Sequence, residues 1–292
     1  MSDKTTNLVD WATDRVLRLM ISRLLRLPYA ERVPRFGQIT RRYIGPLFGY
    51  TRRTVDNLAM IYPEMPKARR EEIAAGVLDN FGRTIMEFQS TDQLTAYAAA
   101  NPPTGAGLEV VAQAASEGRP VIFASAHFGN PEAARHALTA QGYQVGVLYR
   151  PLTNSYFNQL HAAAMESLGA PTFEQGRQGT MGFVRHLKRG GMALLYFDVA
   201  AGRTRLPFLG RPAKTATSLA EIAVRTDALV VPVFGIRQPD GLSFQVEIEA
   251  PVPHGPPEEM MLALNQRLEA QIARNPEQWF WVHRRWKGGK PA

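Results

Sequence analysis

The chain has 292 residues, 45% of them hydrophobic and 21% charged, so it is long enough to bury a large core and is not the composition of a disordered protein. It contains no run of 18 apolar residues and no cysteine, which argues against a membrane-spanning helix and excludes disulfides, thiolate metal sites and a cysteine nucleophile. The first residues, MSDKTTNLVDWATDR, lack the basic and apolar segments of a secretory signal peptide, so we expect none.

The excess positive charge lies in the first quarter of the chain. Residues 1–70 carry 14 Lys and Arg against 6 Asp and Glu, whereas residues 71–292 carry 20 of each, so the net charge of +8 comes from the first segment. Such a segment favours an anionic partner, which can be membrane lipid, an acidic protein or nucleic acid. The alternative is an ordinary solvated surface rich in arginine.

The first predicted element is a basic amphipathic helix in VDWATDRVLRLMISRLLRLP. A helical period places one set of apolar residues on a common side, namely Val16, Leu17, Met20, Ile21, Leu24 and Leu27. Arg15, Arg18 and Arg26 fall on the other side. A helix of this kind either lies in a membrane interface or packs on the protein's own core, and the pattern leaves both open.

The remaining elements divide the chain into a helical region, residues 1–100, and an α/β region, residues 101–292. The stretch AAANPPTGAGLE joins them as a linker, because its prolines and glycines interrupt regular structure. Apolar strands are predicted at 120–126, 143–149, 192–197 and 229–236, with helices between them. This alternation predicts an α/β fold with a mostly parallel central sheet and helices on both faces. The later stretch FQVEIEA alternates in polarity and suits a half-exposed edge strand.

Three histidines are followed five residues later by a glutamate. His161 and Glu166 lie in a predicted helix, where five residues at 100° each turn their side chains about 140° apart. His254 and Glu259 lie after the edge strand, at its solvated margin. Neither pair is favourably placed for chemistry.

The third pair, His127 and Glu132 in VIFASAHFGNPEAARHAL, has a better setting. His127 follows a strand that is apolar on both faces, and ligands of open α/β sheets collect at the carboxyl ends of such strands. Asn130 and Pro131 are good first residues for a helix that would begin with Glu132 in its first turn. A carboxylate bonded to one imidazole nitrogen makes the other a general base, so we expect Glu132 to orient His127. A polar pair that merely caps a helix is the alternative.

No enzyme nucleophile accompanies this base. The G-x-S-x-G elbow, the Walker loop, the Rossmann glycine fingerprint and H-E-x-x-H are all absent. A base without a nucleophile of its own suits direct attack by a substrate hydroxyl. We therefore expect no nucleotide, no metal and no cofactor.

At this point the residues resemble a known family. SAHFGNPE resembles the H-x4-D/E motif of glycerolipid-type acyltransferases, in the form found in the bacterial lipid A late acyltransferases (lauroyl and myristoyl transferases). LYRPLTNSYFNQL, LLYFDV, LPFLGRPAKTATSLAEIAVRTDALVVPVF and NPEQWFWVHRRWK match further blocks in order, over about residues 8–287. Two positions depart from the pattern. Pro131 stands where a tryptophan is common, and Asp198 is followed by Val199 rather than glutamine.

The resemblance implies an acyltransferase that moves an acyl chain from acyl carrier protein, or acyl-CoA, to a hydroxyl of a lipid A precursor. His127 would be the base and Glu132 its orienter, with Arg150 stabilising the oxyanion. Asp198 would orient Arg150 or bind the acceptor. Three weaker candidates for contact with an acceptor phosphate are Arg177, Lys214 and Thr215.

The resemblance also places the enzyme peripherally on the cytoplasmic face of the inner membrane, with its basic region on anionic lipid. The rival within the enzyme class is a lysophospholipid, glycerol-phosphate or other lipid O-acyltransferase that uses the same pair. From another class, the chain could be a lipid-binding protein without catalysis. We expect no nucleic-acid binding, because the arginines alternate with an apolar face.

Overall fold

The computed structural model describes residues 8–151 and 155–286. A helical region comes first, as expected: α1 (Leu8–Leu24), α2 (Tyr29–Ile39), a π-helical turn (Thr40–Ile44), α3 (Gly45–Leu47), α4 (Tyr50–Ile61), α5 (Lys67–Phe88), α6 (Thr91–Ala100) and α7 (Leu108–Glu117). In the ranges described, no helix combines the length and apolar character needed to cross a bilayer.

Strands and helices then alternate: β1 (Val121–Ser125), α8 (Pro131–Ala140), β2 (Val145–Tyr149), α9 (Ser155–Glu166), β3 (Thr172–Glu174), α10 (Arg177–Lys188), β4 (Met192–Tyr196), β5 (Arg205–Phe208), β6 (Arg211–Lys214), α11 (Ser218–Thr226), β7 (Leu229–Arg237), β8 (Phe244–Ile248) and α12 (Pro257–Arg274). A short 3-10 turn, Pro276–Gln278, precedes the C-terminal segment. β3 and the β5–β6 hairpin were not among the strands that the sequence pattern predicts.

The main sheet has six strands in the order β3-β2-β4-β1-β7-β8. The first five run parallel, and β8 is an antiparallel edge strand whose residues alternate between buried and half-buried. This confirms the mostly parallel sheet and the half-exposed edge. Because β4 lies between β1 and β2, however, the strand that leads to Arg150 is two positions from the strand that leads to His127.

Alternate side chains of β1 enter two separate cores, which shows that the sheet is covered on both faces. Ile122 and Ala124 pack with residues of α5, α10, α11 and α12. Val121 and Phe123 pack with residues of α6, α7 and α8. The helical region therefore contributes to both layers around the sheet.

The N-terminal helix differs in part from its predicted amphipathic pattern. Ile21 is buried in a third cluster with Val33 and Phe36 of α2, and Met20 packs against that cluster. Val16, assigned to the same apolar side, is 66% exposed. The side of α1 that carries Met20 and Ile21 thus packs on the protein itself, whereas Val16 does not.

The predicted linker is held against the edge of the sheet. The Thr104 amide donates to the Val246 carbonyl at 2.9 Å, and the Ile248 amide donates to the Thr104 carbonyl at 2.7 Å. Gly107 likewise donates to the carbonyl of Ile248 at 3.0 Å. These bonds fix the position at which the chain passes from α6 to α7.

Candidate active site

The turn after β1 takes the form that its sequence predicts. Gly129 has φ +55°, and a Cβ there would lie 1.9 Å from the Gly235 carbonyl oxygen, so only glycine fits. The Asn130 side chain accepts hydrogen bonds from the amides of Glu132 and Ala133 at 2.9 and 3.2 Å. Asn130 is thus the N-cap of α8, and Pro131 is its first residue.

His127 is paired with Asp198, not with Glu132. Its Nδ1 lies 2.9 Å from Asp198 Oδ1, and its backbone amide donates to Asp198 Oδ2 at 3.1 Å. Asp198 follows β4, the parallel neighbour of β1, so both residues lie at the carboxyl edge of the sheet. The expectation that Glu132 bonds to the imidazole is therefore wrong in its geometry.

Glu132 instead forms a buried cluster behind the histidine. Its Oε1 accepts the hydroxyl of Tyr196 at 2.5 Å, and its Oε2 lies 3.5 Å from Arg135 Nη1. The carboxylate is occupied because Arg135 comes one helical turn after it. The Tyr196 ring packs beside the imidazole, with 4.9 Å between ring centroids. Glu132 thus reaches His127 only through Tyr196.

The Asp198 carboxylate is fully buried and has several donors. Trp279 Nε1 donates to Oδ2 at 3.0 Å, in addition to the amide and imidazole of His127. Burial by itself raises the pKa of Asp198, but the charge and hydrogen bond of His127 outweigh it and hold that pKa well below its usual range. Asp198 is consequently an anion throughout the physiological pH range.

The charge of Asp198 also tunes the imidazole. Removal from water lowers the pKa of His127, but the neighbouring carboxylate more than compensates, so the pKa lies above its ordinary value. The His127 side chain is still 36% exposed. Its Nε2 has no hydrogen-bond partner among the residues that the structure describes. His127 therefore presents Nε2 as a basic nitrogen, while Asp198 holds the ring through Nδ1.

A second histidine, His283, completes the group. Its ring lies edge-on to that of His127, with 4.7 Å between centroids, and its Nε2 is 3.7 Å from Asp198 Oδ2. Burial and the adjacent His127 lower the pKa of His283 to about 4, so it is neutral near pH 7. Asn57 of α4 holds this segment by donating to the carbonyls of Trp281 and His283, at 2.7 and 3.0 Å.

His127, Asp198 and His283 also form a possible metal-ligand set, since each offers a ligand atom and these atoms lie within 4.8 Å of one another. Two imidazoles and a carboxylate suit zinc or iron. A metal bound there would replace the hydrogen bond between His127 and Asp198. It would therefore compete with the acid–base arrangement, and we derive no step through it.

A narrow cavity of about 90 Å³ opens beside His127. Its walls are mostly apolar: Val77 and Phe81 of α5 face Trp279 and Phe280 of the C-terminal segment. A small apolar cavity of this kind suits an apolar group such as the reacting end of an acyl chain.

A larger cavity, of about 500 Å³, is lined by Thr204, Thr217, Glu221, Glu258 and Glu259, together with two prolines. Its three carboxylates are unsuited to an anionic ligand, and none of its lining residues belongs to the His127 group. The small apolar cavity is therefore the better candidate for the active site.

The other predicted site residues are not joined to this group by direct contacts. Arg150 is exposed and follows β2, which places it two strand spacings, about 10 Å, from the strand of His127. Arg177 is exposed at the start of α10. Lys214 ends β6, where its carbonyl accepts from Arg285 Nη1.

Thr215 has a structural environment. It is fully buried, and its hydroxyl donates to the Ala213 carbonyl at 3.1 Å and accepts from Arg285 Nη2 at 3.1 Å. Contact of this side chain with a phosphate would require both bonds to be exchanged.

Sequence reasoning missed Tyr196, Trp279 and His283 as members of the site. In the sequence, Tyr196 is one residue of the apolar strand 192–197, and the signal for its role is its position two residues before Asp198. Trp279 and His283 lie in WFWVHRRW, whose aromatic and arginine residues suit either a membrane interface or a segment that closes the core. Trp279 and Trp281 are fully buried and Trp286 is 7% exposed, so the segment closes the core.

Comparison with known proteins agrees with the motifs. The chain is 25% identical to a lipid A biosynthesis acyltransferase of Haemophilus influenzae, over 60% of this chain and 56% of that protein. It is 25% identical to the lipid A biosynthesis lauroyltransferase of Escherichia coli, over 79% of this chain and 77% of the relative. It is 24% identical to lipid A biosynthesis acyltransferase 2 of Shigella flexneri, over 94% and 89%.

The family model for bacterial lipid A biosynthesis acyltransferases matches residues 3–288, which confirms the resemblance over nearly the whole chain. The match includes both the strand ends that carry His127 and Asp198 and the C-terminal segment that packs against them. By this match, the chain belongs to the bacterial lipid A biosynthesis acyltransferase family.

Proposed function

We propose that this chain transfers a fatty acyl group from a thioester donor to a hydroxyl of a lipid A precursor, at the cytoplasmic surface of the inner membrane. The observation that carries the proposal is the hydrogen bond between His127 Nδ1 and the buried Asp198, beside an apolar cavity. Acyl carrier protein is the proposed donor and acyl-CoA its alternative, because both present the same thioester.

His127 acts as the general base. Its Nδ1–H donates to Asp198, so the lone pair is on Nε2, which removes the proton from the acceptor hydroxyl. The alcohol oxygen attacks the thioester carbonyl carbon, and the tetrahedral intermediate collapses with release of the thiol. The imidazolium returns its proton to the departing sulfur. A base of this kind contributes roughly 10²–10⁴ to the rate.

Asp198 positions the imidazole and stabilises its protonated form. Its depressed pKa keeps it ionised while the proton moves onto His127. Glu132 is assigned a supporting role, since it anchors the Tyr196 hydroxyl and thereby the ring that packs on the imidazole.

Arg150 is proposed to stabilise the oxyanion. A guanidinium suits a developing negative charge. Its exposed side chain, at the same edge of the sheet, is free to turn toward a donor bound over the cavity. Arg177 and Lys214 are proposed to contact phosphates of the acceptor or of the donor's pantetheine arm.

Transfer to a phospholipid-type acceptor uses the same residues, so the acceptor has to be decided by experiment. The purified chain is incubated with acyl carrier protein and CoA donors, and with a lipid A precursor or a lysophospholipid as acceptor. We expect transfer to the lipid A precursor and a loss of about 10²–10⁴ in rate for His127→Ala. Unchanged turnover by that variant would refute the mechanism, and transfer only to the lysophospholipid would reassign the substrate.

A further inference from the structure

An exposed apolar turn in the helical region is unlike the rest of the surface. Leu47 is 81% exposed, Tyr43 61% and Phe48 49%. Among the large apolar side chains whose exposure the structure describes, Leu47 has the highest exposed fraction. Three such side chains within six residues make a contiguous apolar tip, which a soluble surface rarely keeps without a partner.

Arginines surround this tip and no acidic residue lies within it. Residues 40–53, TRRYIGPLFGYTRR, contain Arg41, Arg42, Arg52 and Arg53 and no aspartate or glutamate. We call the face formed by residues 40–53 the arginine–aromatic turn.

Its arginines lie beside its rings. The Arg42 guanidinium is 5.8 Å from the centroid of the Tyr43 ring, and that of Arg53 is 5.7 Å from the ring of Tyr50. The rings of Phe48 and Tyr50 are 5.9 Å apart. Aromatic residues with cationic neighbours are typical of the boundary between lipid headgroups and acyl chains.

The turn is held rigidly on the helix that forms one wall of the cavity. A Cβ at Gly45 would lie 2.4 Å from Leu78 Cδ1, and a Cβ at Gly82 would lie 2.4 Å from Thr40 Oγ1. These close approaches fix residues 40–45 on α5, which also carries Val77 and Phe81 to the cavity beside His127. The turn and the cavity are therefore separated by about the width of one helix, roughly 10 Å.

We propose that the arginine–aromatic turn docks the protein on an anionic bilayer, with Leu47 and Phe48 inserted among the acyl chains and the arginines on headgroup phosphates. This inference rests on the proposed function for its lipid partner. A docked turn would present the cavity to the membrane surface that holds the acceptor. A second copy of the chain is a poorer occupant, because a symmetric contact would bring the four arginines against one another.

The test is partition of the purified protein onto vesicles of phosphatidylcholine, with and without phosphatidylglycerol. We expect binding that requires phosphatidylglycerol. The variant Leu47→Asp/Phe48→Asp should bind more than about tenfold more weakly. The variant Arg41→Ala/Arg42→Ala should bind about 10- to 30-fold more weakly, with a smaller dependence on salt.

The matched control is Val224→Asp on α11. Val224 is 48% exposed, close to the 49% of Phe48, and α11 leads into the amino end of β7, opposite to the His127 edge. It should bind as the wild type does. Unchanged binding of the Leu47→Asp/Phe48→Asp variant would overturn the proposal. The proposal would also be overturned if Leu19→Asp in α1 lost binding while the Leu47→Asp/Phe48→Asp variant bound normally. It would likewise be overturned if the Leu47→Asp/Phe48→Asp variant lost self-association but bound vesicles normally.

Activity measurements separate this proposal from the enzymatic one. With a detergent-dispersed acceptor, the Leu47→Asp/Phe48→Asp variant should keep wild-type turnover within about threefold, whereas with acceptor in vesicles it should lose turnover in step with binding. Absence of turnover by the wild-type protein would refute the proposed function, and the partition measurements would still decide the docking surface.

Discussion

Two buried carboxylates of this molecule, Glu87 and Asp198, have opposite surroundings. Glu87 of α5 is fully buried and is held by Arg237, whose Nη2 donates to Oε2 at 2.8 Å, and by Asn130 Nδ2, also at 2.8 Å. Arg237 is itself buried and also donates to Asn80 Oδ1 at 2.7 Å. Arg237 and Asn130, the two partners of the Glu87 carboxylate, are therefore both buried.

Asp198 is equally buried, but its main partner, His127, keeps more than a third of its side chain exposed and faces a cavity. A closed ion pair can only hold elements together, here α5, β7 and the cap of α8. A buried anion that fixes one face of a half-exposed base can support proton transfer. What distinguishes a structural carboxylate from one that supports chemistry is therefore whether the residue bonded to it can reach a substrate.

The largest effect should come from neutralising the Asp198 carboxylate. Asp198→Asn removes the charge that stabilises the imidazolium and leaves the side chain able to donate to His127 in the wrong tautomer. We expect kcat to fall by about 10²–10⁴. The measurement is single-turnover acyl transfer with saturating donor, and circular dichroism checks that the variant is folded. A loss of less than tenfold would contradict the pairing.

Loss of the Glu87–Arg237 ion pair should lower the stability of the fold. Glu87→Gln leaves the positive charge of the buried Arg237 without its negative partner. The free energy of unfolding should therefore fall by about 3–5 kcal/mol. Turnover per folded molecule should change little. Urea unfolding measured by tryptophan fluorescence gives the first quantity, and activity below the unfolding transition gives the second. Equal stability with greatly reduced turnover would place Glu87 in the chemistry.

The pH dependence decides which carboxylate serves His127. Because the pKa of His127 is raised, the basic form required for catalysis appears above the ordinary histidine pKa of about 6.5, so kcat/KM should rise through a midpoint above that pH. Loss of the Asp198 charge should lower the midpoint, whereas Glu132→Gln should leave it nearly unchanged.

Titration of the histidine ring protons by NMR measures these midpoints even in slow variants. His283, whose pKa is about 4, is distinguished by its separate transition. The raised pKa of His127 also sets how the stability of the fold depends on pH. The contribution of the His127–Asp198 pair is present below the unfolded histidine pKa and is lost as the pH rises through the folded one. A midpoint that moves in Glu132→Gln as it does in Asp198→Asn would restore Glu132 as the direct partner.

The smallest effect is expected for Tyr196→Phe. It removes the hydrogen bond to Glu132 but keeps the ring that packs on the imidazole. The free energy of unfolding should fall by about 1.5–3 kcal/mol, as for a hydrogen bond to a charged group. Turnover should stay within about tenfold. A larger loss of turnover would indicate that the hydroxyl touches the substrate.

Local sequence determined most of the elements and one member of the site. Apolar runs fixed four parallel strands, because buried strands need apolar side chains on both faces. Asn130 and Pro131 fixed the start of α8 and placed His127 at the carboxyl end of β1. The β5–β6 hairpin is not predicted from the sequence, because the prolines and the glycine of its PFLGRP stretch obscure a strand pattern.

The partner of His127 was decided only by the tertiary structure. Asp198 is 71 residues away along the chain and becomes a neighbour because β4, rather than β2, pairs with β1. Glu132 is near in sequence but is occupied by Tyr196 and Arg135. Strand order depends on which side chains pack across whole layers, and no spacing within a single segment contains that information. The sequence thus indicated His127 as the candidate base, and the order of the strands determined which carboxylate is bonded to it.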